Sequence, residues 1–183
     1  MQNHAVTRRN SGYLYYSAVV FFLYCALSCS AFTVALYDSR GISSAQVGIL
    51  LAASSAVSIF SPPIMGLLAD KLRSKRRTLM LCLLLGGLTD LLLPLLADSF
   101  WALLGISVLG NAFRGATFSL FDTWLVSEAA VAGRKLEYGA VRLWGSLGYS
   151  LFSLCYSGLT KALGSVDIAF YLGGALMLLT ALL

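Results

Sequence analysis

Between Arg9 and Asp38 the chain runs from Asn10 to Tyr37 without one charged side chain, a stretch of 28 residues. A helix crossing the hydrocarbon layer of a bilayer needs about 20 mostly apolar residues. The apolar core of a secretory leader is only about 7–15 residues long. The pair Arg8–Arg9 followed by "ALSCS" therefore does not read as a cleaved signal, and the stretch reads as a first membrane span.

Composition extends this reading to the whole chain. Of 183 residues, 58% are hydrophobic and 11% charged, against about 45–50% and ~25% in soluble globular domains. A soluble fold so poor in charge could not cover its own surface. The net charge of +5 does not indicate nucleic acid, because the cations fall in short clusters between apolar runs, as they do in cytoplasmic loops. Cys25, Cys29, Cys82 and Cys155 all lie inside apolar runs, without the spacing of a zinc site. They read as small buried hydrophobes. No motif calls for a cofactor or metal.

Breaking the chain at charges and turn residues predicts an all-α membrane protein. A cytoplasmic tail, residues 1–12, precedes a bundle over 13–183 with helices at about 13–37, 44–69, 78–97, 99–126, 138–160 and 165–183. The last ends inside the run "YLGGALMLLTALL" and reads as truncated. With the N-terminus inside, the inner segments carry Arg8, Arg9, Lys71, Arg73, Lys75, Arg76, Arg77, Arg134 and Lys135, while the outer loops carry only Arg40 and Lys161. That asymmetry predicts a multi-pass protein of the plasma or inner membrane with a cytoplasmic N-terminus.

Function must then reside within the bilayer, where an ionisable side chain is costly and marks a working position. The candidates are Asp90, Arg114, Asp122 and Arg142. At 100° per residue, Asn111, Arg114, Phe118 and Asp122 share one face of the fourth helix, and Arg142, Ser146, Tyr149, Ser153 and Tyr156 share a face of the fifth. Trp144 points away from that face. Such polar stripes suit a solute cavity. Asp122 and Arg142 each lie about 6 Å from the inner end of their helices and are expected to pair. Asp90 and Arg114 come out about 12 Å apart in depth, too far to pair. In "GLLADKLRSKRRTL", Gly66 would permit close helix approach, Asp70 could face the positive end of another helix, and the cations would hold the loop to anionic lipid.

These residues resemble a known family. "GLLADKLRSKRRTL" is similar to the loop 2–3 motif of the major facilitator superfamily through Gly66, Leu68, Ala69, Asp70, Lys71 and Arg76–Arg77, with Arg73–Ser74 and an extra residue where the pattern has a second glycine. "YGAVRLWGSLGY" resembles the start of helix five in the subgroup containing lactose permease and the phenylpropionate permeases, and "GISSAQVGILLAASSAVSIFSPPIMGLLAD" resembles that subgroup's loop 1–2 and helix 2. The resemblance covers nearly the whole chain, as the N-terminal six-helix half of such a carrier. It implies that Arg142 binds solute together with the helix-four carboxylate, best matched by Asp122, and that Tyr149 stacks on the solute. Asn111 and Arg114 join them on the cavity face. Gly66, Asp70 and Arg76 would gate the carrier against a C-terminal six-helix half that is missing here.

The reading is a secondary transporter of a small polar solute (a sugar, nucleoside or aromatic acid), with a proton as the expected coupling ion and the lipid bilayer as its surroundings. The chain is expected to be a half or fragment of it. The rival is a non-transporting membrane sensor or scaffold built on half the fold. With no histidine in any span, no serine nucleophile motif and no metal-ligand cluster, the chain does not read as an enzyme.

Overall fold

The computed structural model describes residues 2–131 and 138–182, with side chains over 13–127 and 138–182. Arg8, Arg9, Arg134 and Lys135, counted above among the inner cations, lie outside the described side chains. The described chain is α1 (Gln2–Leu27), a 3-10 turn (Ser28–Phe32), α2 (Thr33–Ser39), α3 (Ser44–Lys71), α4 (Lys75–Leu92), a second 3-10 turn (Pro94–Leu96), α5 (Phe100–Val131), α6 (Tyr138–Leu163) and α7 (Asp167–Leu182). Three stretches are long and apolar enough to cross a membrane by length and composition: Tyr13–Ser39, Ser44–Lys71 and Phe100–Ser127. Cations in the first turn of α4 and the serines, glycines and tyrosines of α6 dilute those helices, and α7 is a shorter apolar helix.

The expected first span is not one regular helix. Ser28 Oγ donates to the Cys25 carbonyl at 2.7 Å, Ser30 Oγ to that of Leu27 at 2.8 Å, and Thr33 Oγ1 to that of Ser30 at 2.8 Å. Clustered hydroxyls of this kind compete with the helical ladder, and the backbone tightens to 3-10 over Ser28–Phe32.

Two helix ends show how sequence sets the turns. After α2, the Ile42 N–H returns to the Tyr37 carbonyl and the Gly41 N–H to that of Asp38, with Gly41 at φ +70°. This is the paired closure in which glycine is favoured. Ser43 then caps α3 in a reciprocal box with Gln46. After α3 the same closure recurs, Ser74 N–H to Ala69 and Arg73 N–H to Asp70, but the left-handed position is held by Arg73 at φ +49°. The turn that the sequence motif gives to a glycine is thus built here on an arginine. Ser74 at once caps α4 by accepting the Arg77 N–H.

Packing follows a rule that the sequence reading did not reveal. The main helix pairs are α1 with α6, α3 with α5, α4 with α7, α1 with α7 and α4 with α5. Exchanging α1, α3 and α4 for α5, α6 and α7 maps this set onto itself. The bundle is therefore two three-helix units of opposite direction. The self-paired crossing, α4 on α7, falls on matching stretches, "LGGLTDLLL" from Leu85 and "LGGALMLLT" from Leu172. A Cβ at Gly174 would lie 2.8 Å from the Gly87 carbonyl oxygen, and one at Gly87 would lie 3.0 Å from that of Gly174. The backbones touch there, as small residues allow in membrane bundles.

Two apolar clusters fill the bundle, one including Leu23, Leu83, Leu125 and Met177, the other including Leu36, Leu103, Tyr156 and Phe170. At the end that holds the Gly41 turn, Arg40 Nη2 donates to both carboxylate oxygens of Asp167 at 2.9 Å and to the Pro94 carbonyl at 3.3 Å. This ties the end of α2 to the start of α7.

Candidate functional site

A cavity of about 470 Å³ opens between α1–α2, α3, α5 and α6. From α1–α2 it takes Ser30, Thr33 and Tyr37, the first two presented by the 3-10 turn and its exit. From α3 come Ser54, Ser55 and Ser58, from α5 Asn111, Arg114 and Phe118, and from α6 Tyr149. Asn111, Arg114 and Tyr149, three of the residues singled out in the sequence, thus share one cavity. The α3 hydroxyls were missed. Their signal is the run "SSAVS" within a helix otherwise almost wholly apolar.

Arg114 is held from behind. Its Nη1 donates to Asp90 Oδ1 on α4 at 2.7 Å, with 11% and 1% of the two side chains exposed. This overturns the expectation that the two lie too far apart. Gly110 packs against Thr89 and Gly86 against the Arg114 stem, so Arg114 stands about one turn from the level of Asp90, and its side chain reaches across the rest. Counting depth from helix ends at 97 and 99 misplaced the helices by about one turn, as the contacts of Gly110 with Thr89 and of Gly86 with Arg114 show.

Arg142 and Asp122 do pair. One guanidinium nitrogen, Nη1, donates to both Asp122 oxygens at 2.9 Å and to the Tyr138 hydroxyl at 2.7 Å. The Tyr138 ring lies 5.8 Å below the guanidinium carbon. The pair stands outside the cavity lining, one helical turn beyond Phe118 on α5 and two turns from Tyr149 on α6. Tyr24, edge-on to Phe118 at 5.3 Å, lies between. The pair is partly exposed, 44% of the Arg142 side chain and 36% of that of Asp122. Arg114 and Arg142 are thus each matched by a carboxylate, one at the cavity and one a helical turn beyond it.

Other expected positions fall elsewhere. Tyr156 is buried against Phe32 and Phe152 and donates to the Cys25 carbonyl at 3.3 Å, so it serves the α1–α6 packing. Trp144 is exposed and donates to the Tyr13 hydroxyl at 3.2 Å. Cys25, Cys29 and Cys82 are buried, but Cys155 is exposed, against the expectation for all four. Gly66 does not serve close approach: nothing lies within 4 Å of where its Cβ would be. Asp70 and Arg76 line a separate cavity at the α3–α4 turn, and Asp70 makes no ion pair among the described residues.

This helical arrangement can be set beside known proteins. A family model described as MFS_1 like family matches residues 13–183. The chain belongs to that family, within the major facilitator superfamily. Maltose permease of Geobacillus stearothermophilus is 28% identical over 164 residues, which cover 90% of this chain and 41% of that protein. Raffinose permease of Escherichia coli is 28% identical over 192 residues, covering 98% and 44%. The crystal structure of the nucleoside transporter NupG shares the fold at a TM-score of 0.81 and 19% identity, over 93% of this chain and 42% of that one. The superfamily member described here thus spans less than half the length of the relatives it matches. Inverted three-helix units within a half are a known property of superfamily folds, and the exchange symmetry of its helix pairs has that form.

Proposed function

We propose that this chain forms the N-terminal six-helix half of a secondary active transporter for a neutral, hydroxyl-rich solute of the sugar class. The six spans are the α1–α2 rod, α3, α4 with its 3-10 extension, α5, α6 and α7. The observation that carries the reading is the gathering of six hydroxyl side chains, Asn111 and Arg114 in one cavity with Tyr149, and a second arginine–carboxylate pair one turn beyond Phe118. Because Asp90 and Asp122 already offset Arg114 and Arg142, the surface favours hydrogen-bonding solutes over anions. The sugar permeases among its relatives support the same class.

In this reading Arg142 and Asp122 bind solute hydroxyls, Tyr149 stacks on the ring, and Asn111 and Arg114 hold its far end. Gly66, Asp70 and Arg76 gate against a second six-helix half, and a proton is the coupling ion. The N-terminus is cytoplasmic in a plasma or inner membrane. Lys71, Arg73, Lys75, Arg76 and Arg77 crowd the end with the α3–α4 turn, while Arg40 and Lys161 stand at the other, the distribution expected of inner and outer faces.

The test is binding of labelled maltose and raffinose to the chain in nanodiscs, with uptake into vesicles alongside. Arg142→Ala is expected to weaken binding roughly tenfold, the loss of charge-assisted hydrogen bonds, with the folded yield unchanged because the pair is exposed. Equal affinity in the variant would remove Arg142 from the site. A half alone is expected to bind without accumulating solute, and failure of the parent chain to bind either sugar would overturn the reading.

A further inference from the structure

The cavity between α1–α2, α3, α5 and α6 is elongated along the helices. Its lining runs from Leu51 to Ser58 on α3 and from Asn111 to Phe118 on α5, in each case about 10 Å of helix axis. Its two ends differ in chemistry. The end nearer the α3–α4 turn holds Phe118. Tyr149 stands about one turn from that level, since Phe118 and Gly145 both lie against Tyr24. The end nearer the Gly41 turn holds Thr33, Ser54 and Asn111. A single pyranose ring is too short to reach from one end to the other, whereas two joined rings match the length.

Ser54 and Asn111 share one level of that far end. A Cβ at Gly115 would lie 3.1 Å from Ser58 Cα, so α3 and α5 touch there. Both helices start from the end that holds the Gly41 turn, and Ser54 and Asn111 each stand one turn before the contact. Ser54 is set apart by its hydrogen bonding. Ser58 Oγ donates back to the Ser54 carbonyl, Ser30 Oγ to that of Leu27 and Thr33 Oγ1 to that of Ser30, the usual habit of hydroxyls in apolar helices. Ser54 is 8% exposed, and its hydroxyl has no hydrogen-bond partner among the described residues. The unpartnered hydroxyls of Ser17 and Ser153 are sealed in the packing, whereas Ser54 lines the cavity. So enclosed a hydroxyl is unfavourable unless something bonds to it. Asn111 commits an amide N–H to the Ser107 carbonyl at 2.9 Å, which leaves its Oδ1 as an acceptor. A hydroxyl and a carbonyl oxygen at one level suit neighbouring hydroxyls of a sugar ring.

We propose that Ser54 and Asn111 bind the second ring of a disaccharide whose first ring lies at Tyr149 and Phe118. They thereby select a disaccharide over a monosaccharide, an assignment that rests on the sugar-carrier reading and goes beyond it in naming the number of rings. Ser54 is the specificity-determining group, because its hydroxyl alone separates the two ring sites on α3 from an apolar helix face.

Ser54→Ala removes the hydroxyl and leaves the charge pairs and helix packing in place. The chain in nanodiscs is titrated with maltose and with methyl α-glucoside, which carries one ring of the same sugar. The parent is expected to bind maltose roughly tenfold more tightly than the glucoside, as the added hydrogen bonds of a second ring imply. Ser54→Ala is expected to weaken maltose roughly fivefold and leave the glucoside unchanged. Ser54→Thr, which keeps a hydroxyl, holds the ratio near that of the parent, and Arg142→Ala, acting at the first ring, weakens both sugars alike. Equal affinity of the parent for both sugars overturns the second-ring site and leaves the sugar reading standing. So does a Ser54→Ala variant whose maltose-to-glucoside ratio is that of the parent. A parent chain that binds neither sugar overturns the sugar reading and the second-ring site with it.

Discussion

Asp90→Leu is expected to destabilise the bundle by about 3–5 kcal/mol, the usual effect of removing one partner of a buried ion pair. Asp90 is 1% exposed, and its carboxylate faces Arg114 at 2.7 Å, with the Cys29 thiol at 3.9 Å. Without it the guanidinium has no opposite charge on α4, and its Nε already lacks a partner among the described residues. Arg114 must then stay charged in an apolar setting or turn into the cavity that it lines. Thermal unfolding in a mild detergent measures the loss. Asp90→Leu combined with Arg114→Met is expected to recover most of it, because replacing a buried pair by apolar side chains is often close to neutral. A double variant as unstable as the single one would mean that Asp90 supports the fold through packing rather than charge. The contrast with the other pair is part of the prediction. Arg142 and Asp122 are exposed by 44% and 36%, so breaking them should change stability by less than about 1 kcal/mol.

Gly174→Val is expected to destabilise by roughly 3 kcal/mol, at the upper end of the overpacking range. The first atom of any side chain there would meet the Gly87 carbonyl oxygen at 2.8 Å and Leu91 Cγ at 2.8 Å. The Gly87 obstacle is backbone, so no rotamer change relieves it and α4 and α7 must separate. Because this crossing lies where the two three-helix units meet, the separation disturbs both. Gly158→Val is the control, since nothing lies within 4 Å of its Cβ position. Equal melting temperatures for the two variants would show that α4 and α7 are not in contact at Gly87 and Gly174.

Much of the site was legible along single helices. Asn111, Arg114 and Phe118 recur at helical spacing, and an arginine in an apolar helix is conspicuous by its cost. The partner of Arg114 was not legible, because it depends on how two helices slide past one another. That displacement is set by the 3-10 turn Pro94–Leu96 and by contacts such as Gly110 on Thr89. The role of Gly66 was misjudged for a related reason: a glycine signals room for an approach, and only packing says whether another helix takes it. Ser54, Ser55 and Ser58 passed unnoticed because serine in an apolar helix can bond back to its own backbone, as Ser58 does to the Ser54 carbonyl at 3.0 Å. One such residue does not announce a cavity; only the clustering in "SSAVS" does.

By itself, then, the sequence determined the solvent this chain is built for, its helical class and where the chain breaks between helices. These follow from local chemistry: apolar length, charge distribution, caps and backbone conformation act within a few residues of one another. Only the tertiary structure decided the pairing of α1 with α6 and α3 with α5, the backbone contact of Gly87 with Gly174, and the capture of Arg114 by Asp90. Those facts join residues far apart in the chain, and they depend on helix register and crossing, which side-chain shape settles only once all the helices are packed together.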